Sequence, residues 1–276
     1  MSPTEQPNQC KHRIALGIEY DGSNYSGWQK QLSPQQQTIQ QHVERALSKI
    51  ADHEVSVTCA GRTDAGVHAT CQVVHFDCHI DRGNKAWVEG SNSLLPKTIR
   101  VLWSSRQNED FHARFSALSR RYLYLIYQRN VESTVFAGRV SHERKALNCD
   151  AMNQAAQFLL GEQDFSSFRA AGCQSKTANR CIMHANVYRQ GGFIVFDVKA
   201  NAFLQHMVRN VMGSLLKIGR GEQDPEWFAE LLAKKDRTKA AATASPDGLY
   251  LVAVEYPASF GLKPEMALPG MLLASQ

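Results

Sequence analysis

Alternation of apolar and polar positions over Ile14 to Tyr20, bounded by basic and turn residues, predicts a strand, and Tyr20-Asp21-Gly22-Ser23 predicts the turn after it. Ile39, Val43, Ala46, Leu47 and Ile50 then recur at helical spacing from Thr38 to Ile50. Strand patterns follow at Val55 to Cys59 and Gln72 to Phe76, a helix at Ala86 to Leu95 stopped by Pro96, and a strand at Ile99 to Trp103. The order strand, helix, strand, strand, helix, strand restarts in the second half. Arg121 to Tyr127 is β-branched and aromatic, and a helix over Met152 to Leu160 has Asp150 as its expected N-cap. Ala185 to Tyr188 and Phe193 to Lys199 flank a Gly191-Gly192 turn. Helices at about Phe203 to Ile218 and Pro225 to Leu232 precede a last strand, Leu249 to Tyr256.

This doubled pattern predicts an α/β (α+β) protein of two ferredoxin-like βαββαβ halves that join around one cleft. Residues 11–110 form the first half and residues 111–260 the second. Residues 1–10 are polar and expected to be disordered, and 261–276 are expected to form an appended strap. Gln29 to Gln37, with five glutamines and a proline, is expected to be a mobile loop.

With 276 residues the chain can bury a core without metal or disulfide staples. It has no run apolar enough for a membrane span and no signal-peptide core, so a soluble, cytoplasmic protein is expected. The seven cysteines are odd in number and form no CxxC pair, which fits reduced thiols. A net charge of +5 permits a polyanionic partner without demanding one. Walker, GxGxxG and HExxH signatures are absent, which removes the usual marks of nucleotide hydrolysis, dinucleotide chemistry and zincin proteolysis.

The densest cluster of loop-forming and functional residues runs from Cys59 through Arg62, Asp64 and Gly66 to Ala69, between two strands. A carboxylate fixed there can act as nucleophile or general base, and a neighbouring arginine favours the charged form of such a group. The same Asp64-Ala65-Gly66 run also suits a simple Asx turn. A second cluster, Phe111 to Ser116 followed by Arg120 to Tyr124, interleaves arginine with aromatic rings. Arginine can neutralise phosphate while a ring stacks on an unpaired base, so Arg114 and Arg121 are candidate RNA contacts. A half-buried strand with Tyr122, Tyr124 and Ile126 in the core explains the same pattern. Arg209, inside an otherwise apolar helix, needs a partner, either a catalytic carboxylate or a structural acid.

Cys71, His75, Cys78 and His79 invite a zinc reading, but strand alternation puts neighbours on opposite faces and no second ligand pair follows; no metal is expected. The charge run from Lys234 to Lys239 reads as a solvated helix end.

Seven segments, in order, carry a resemblance: YDGSNYSGWQ from Tyr20, AGRTDAGVHA from Ala60, FHARFSA from Phe111, RRYLY from Arg120, DFSSFR from Asp164, NAFLQHMVRN from Asn201 and GLYLVAVEY from Gly248. Over nearly its whole length the chain resembles the TruA family of tRNA pseudouridine synthases, which isomerise uridines 38, 39 and 40 of the anticodon stem-loop. The resemblance implies a pseudouridine synthase fold around a basic cleft, tRNA as partner, a homodimer and no cofactor. It makes Asp64 the nucleophilic aspartate, Arg62 the residue that holds the flipped base's place, and Tyr122 the active-site tyrosine. Arg209 becomes the arginine paired with the aspartate, and Leu249 an apolar wall of the base pocket. Two rivals stand beside this expectation: a non-catalytic RNA-binding protein or tRNA chaperone, and a zinc-dependent nucleic-acid hydrolase built on Cys71 and His75.

Overall fold

β1 (His12–Tyr20) lies between β4 (Ile99–Gln107) and β3 (His68–Cys78), antiparallel to both. In the computed structural model, residues 12–31, 36–262 and 266–273 are described. The polar tail and residues 32–35 of the glutamine-rich loop lie outside them. One mixed ten-stranded sheet carries the chain, in the order β4-β1-β3-β10-β5-β9-β8-β7. The second half contributes β5 (Ser119–Gln128), β7 (Gly161–Asp164), β8 (Asn179–Gln190) and β9 (Phe193–Ala200). The last strand, β10 (Leu249–Glu255), closes the seam between the halves. It runs parallel to β3, with Tyr250 opposite His68, and antiparallel to β5, with Leu249 opposite Tyr124. Two short strands are added at the margins: β2 (Thr58–Cys59) on β3, and β6 (Ser141–Glu143) on β5.

The longer helices cover one face. Thr38 caps α1 (Ile39–Ala51) by accepting the Gln41 amide at 3.4 Å, and the helix buries Ile39, Val43 and Leu47. α2 (Gly83–Lys85), a π-helical turn (Ala86–Gly90) and α3 (Ser91–Leu94) form one helical run that sinks Trp87 against Phe76. α4 (Cys149–Gln157) packs against α5 (Met207–Gly219) and α6 (Glu226–Lys234). Strand alternation gives Tyr122, Tyr124 and Ile126 to this larger core and sends Leu123 and Leu125 to the opposite face. There residues 266–273, ending in α7 (Gly270–Leu273), bury Leu272 over Leu123, Val195 and Val252. Ala267 donates to the Val252 carbonyl at 3.1 Å, and Gln190 Nε2 to the Leu272 carbonyl at 3.0 Å. No helix among the described residues is long and apolar enough to cross a membrane.

Three expected elements differ. The α4 cap is Asn148, which accepts the Ala151 amide at 3.0 Å; Asp150 lies inside the first turn, where its charge suits the helix dipole. Val55 and Val57 alternate like a strand, but their amides go to Ser48 Oγ at 2.9 Å and Glu44 Oε1 at 3.1 Å on α1, so only Thr58 and Cys59 join the sheet. α5 begins at Met207 rather than near Phe203, because His206 holds a left-handed backbone with φ of 59° that a continuous helix cannot contain.

Candidate active site

Asp64 sits on the connection between β2 and β3, fastened from several sides. Thr63 accepts the Trp28 amide at its carbonyl, 3.0 Å, and meets the Tyr20 hydroxyl at its own, 2.8 Å. Gln72 is a fully buried polar residue of β3. It accepts the Gly61 amide at 3.3 Å and donates to the Gly61 carbonyl at 2.6 Å. The Gly66 amide reaches the Tyr25 carbonyl at 3.3 Å, and the Val67 amide closes the turn on the Asp64 carbonyl at 3.2 Å. These clasps explain why Asp21-Gly22 follows β1: a Cβ on Gly22 would stand 2.0 Å from the Val67 carbonyl oxygen. The backbone under the carboxylate is thus fixed by groups already satisfied, which holds it more rigidly than a free loop would.

The carboxylate faces the first turn of α5. Arg209 Nη1 donates to Asp64 Oδ2 at 3.2 Å while its Nε donates to the Ala244 carbonyl at 2.9 Å. His206 Nε2 lies 3.5 Å from the same Oδ2. The positive end of the helix dipole also favours the ionised carboxylate.

Around Asp64 opens a cleft of about 1020 Å³. Among the described residues, Asp64 is the sole acid along its lining, against five arginines: Arg62, Arg114, Arg120, Arg180 and Arg209. Such a balance attracts a polyanion and surrounds one carboxylate with positive charge. Arg62 and Arg114 are exposed; Tyr122 is buried, with its ring edge-on to Phe203 at 5.1 Å. Burial raises the Tyr122 hydroxyl well above its ordinary value, against the pull of Arg120, so the group is a neutral phenol at physiological pH. Leu249 is buried at the start of β10 and supplies an apolar wall.

Six of the seven residues singled out from sequence therefore line one cleft: Asp64, Arg62, Tyr122, Arg209, Leu249 and Arg114. Arg121 does not. Strand alternation turns it to the other face of β5, where its guanidinium forks onto Asp197 at 2.7 and 2.5 Å. His75, half of the rival zinc pair, has its Nδ1 engaged by the Ala113 amide at 3.1 Å.

Arg120, Arg180 and His206 of the lining were not singled out from sequence. Arg120 is buried and donates to the carbonyls of Ala60 at 2.9 Å, Asn201 at 2.9 Å and Ala117 at 3.2 Å, which ties β5 to the Asp64 loop and to the approach to α5. Its signal was present: positions 120, 122 and 124 share a strand face, so Arg120 and not Arg121 accompanies Tyr122. His206 had no comparable signal, since neither its backbone nor its proximity to Asp64 follows from local pattern.

A family model described as tRNA pseudouridine synthase matches residues 17–116 and 155–257, segments that hold Arg62, Asp64, Arg114, Arg180, His206, Arg209 and Leu249, with Arg120 and Tyr122 falling between them. The chain belongs to the tRNA pseudouridine synthase family. Its class is accordingly that of an isomerase, and its mixed ten-stranded sheet is the pseudouridine synthase fold. A Vibrio cholerae serotype O1 protein named tRNA pseudouridine synthase A is 56% identical over 261 residues, covering 95% of this chain and 98% of its own. A Klebsiella pneumoniae protein of the same name is 52% identical over 274 residues, covering 99% of this chain and 100% of its own. A solved Cbf5-Nop10-Gar1 complex overlaps 86% of this chain and 57% of its own at 12% identity, with a TM-score of 0.32, too loose an overlap to bear on the fold.

Proposed function

We propose that this isomerase converts uridines 38, 39 and 40 of the tRNA anticodon stem-loop to pseudouridine, with Asp64 as the reacting carboxylate. The observation that carries the reading is the cleft itself, where, among the described residues, the one acid is paired with Arg209 at the foot of α5 and every other charged side chain along the lining is an arginine. A protein that only binds RNA gains nothing from a carboxylate there, because it repels phosphate.

The reaction breaks the bond from ribose C1′ to uracil N1, turns the base, and joins C1′ to C5. One proton leaves C5 and one is gained at N1, so the product is an isomer and the residues of the cleft suffice. Asp64 attacks C1′ to trap an oxocarbenium-like centre, or removes the C2′ proton to give a glycal. The Arg209 and His206 contacts both fall on Oδ2, so Oδ1 is the oxygen offered to the sugar. Arg209 and His206 act as positioning residues that fix the carboxylate's rotation. Tyr122, as a neutral phenol, stacks on the uracil and can donate a proton to it before taking one from C5. Leu249 borders the base, and Arg62 fills the space the flipped nucleotide vacates, which offsets part of an unstacking cost of a few kcal/mol. Arg114 meets phosphate.

A homodimer would let one tRNA span basic surface on two chains, and work in the cytoplasm is consistent with a tRNA substrate. Pseudouridine mapping on unmodified tRNA by carbodiimide adduct and primer extension tests the reading. New stops one nucleotide 3′ of positions 38 to 40 are expected; modification confined to another region of the tRNA would overturn the site assignment.

A further inference from the structure

Phe115 is the only exposed phenylalanine, tyrosine or tryptophan among the described residues, with 76% of its surface open to solvent. Its neighbours in the same arginine-aromatic stretch have other work. Phe111 is fully buried against Tyr256, at 5.1 Å, and Phe260, at 5.2 Å; Tyr124 is in the core; Tyr122 faces the cleft.

The turn that carries Phe115 is built with care for a surface feature. His112 Nδ1 accepts the amides of Arg114 at 3.2 Å and Phe115 at 3.1 Å. The Ser116 amide returns to the His112 carbonyl at 2.9 Å, and Ser116 Oγ accepts the His112 amide at 2.9 Å. Below, the Ala113 amide is held by His75 and the Ala113 carbonyl by the Tyr256 hydroxyl at 2.7 Å. The His112 ring then stacks on Phe115, centroids 4.3 Å apart and planes within 26°. One ring face is supported by His112, the Arg114 guanidinium lies over the ring, and most of the residue's surface stays open to solvent. Arg114, whose guanidinium carbon lies 5.4 Å from the Phe115 centroid, lines the cleft of Asp64.

Exposing a planar apolar ring on a preorganised turn has no folding benefit, since the ring buries little and the turn is satisfied without it. It does what a nucleic-acid stacking platform requires: a rigid aromatic face beside cations that take the backbone.

We propose that Phe115 is a stacking platform for an unpaired base of the RNA loop next to the target uridine, with Arg114 holding the adjoining phosphate. This rests on the tRNA reading of the cleft and adds a specificity element to it: the site selects a target flanked by single-stranded RNA. Stacking on this ring is independent of base identity, because every base presents a π face.

The test is binding of two RNAs by the full chain: an anticodon stem-loop, and a fully paired hairpin stem of equal charge closed by a tight tetraloop. Phe115→Ala and Phe115→Leu are each expected to weaken the stem-loop complex by about tenfold or more, leaving the paired stem within about twofold. Phe115→Tyr, which keeps the ring, should restore stem-loop affinity, and the loss in kcat/KM should lie mainly in KM. Because the ring is exposed, thermal midpoints should match wild type. Stem-loop affinity unchanged by Phe115→Ala, equal losses on both RNAs, or a change in oligomeric state with RNA affinity kept would overturn the proposal. The two readings fail separately. A wild-type chain that isomerises no uridine removes the functional reading, whereas an active wild type with a Phe115→Ala variant that binds normally removes the platform alone.

Discussion

Arg209 Nη1 and Asp64 Oδ2, 145 residues apart in sequence, meet at 3.2 Å at the N-terminal end of α5. The arginine's second contact, Nε to the Ala244 carbonyl, sets the direction of the guanidinium, and only a fork can make both contacts at once. Arg209→Lys keeps the charge and loses the fork. It is expected to lower kcat by about a hundredfold with little change in tRNA affinity, as steady-state kinetics and filter binding would register. A kcat within threefold of wild type would mean that the orientation of Asp64 does not depend on this pair.

His206 combines a left-handed backbone with a contact to the same carboxylate oxygen. A non-glycine residue in that conformation costs about 1–2 kcal/mol, a strain that persists only where the surroundings enforce it. His206→Gly relieves the strain and deletes the imidazole, so thermal stability should hold or rise while kcat falls about tenfold. His206→Asn also tolerates the conformation and keeps a donor, and should recover part of the loss. Full activity in the glycine variant would leave the side chain without a part in positioning Asp64.

Much of this arrangement was legible in the sequence, and what was hidden has physical reasons. α1 and β1 were readable because their apolar periods are strong and locally capped. Val55 and Val57 carry a strand pattern yet give their amides to side chains of α1, a tertiary competition that no local pattern records. The parallel seam of Tyr250 with His68 joins positions far apart in the chain, so the sheet's continuity could only be suggested by the doubled order of elements. Gln72, polar and fully buried, looks like a surface residue until the Gly61 loop is seen to need both of its amide groups. Within the site, the residue types of the Asp64 loop were plain, but Arg120 and Arg121 are told apart only by the face of β5 on which each lies.

His75 makes the fold sensitive to acid in a defined window. Burial depresses its imidazole from 6.5 to about 4, aided by the nearby His112 and Arg13, and its Nδ1 must be unprotonated to accept the Ala113 amide. The native state therefore binds this proton less readily than the unfolded chain. The stability is fully present above pH 6.5 and is lost progressively as pH falls from 6.5 to 4. The loss should amount to about 2 kcal/mol after allowance for solvent screening. Urea titrations across that range should show a shallower pH slope for His75→Asn than for wild type. Identical slopes would remove His75 as the source.

The central claim, that Asp64 performs the chemistry, is tested most directly by single-turnover tritium release from tRNA carrying [5-³H]uridine, with wild type and Asp64→Asn at matched, saturating concentrations. Tritium leaves C5 when that carbon becomes bonded to ribose. The account predicts release by wild type and a rate at least about a thousandfold lower for the asparagine variant, with tRNA affinity within a few fold. Release by Asp64→Asn at a rate close to wild type would contradict it.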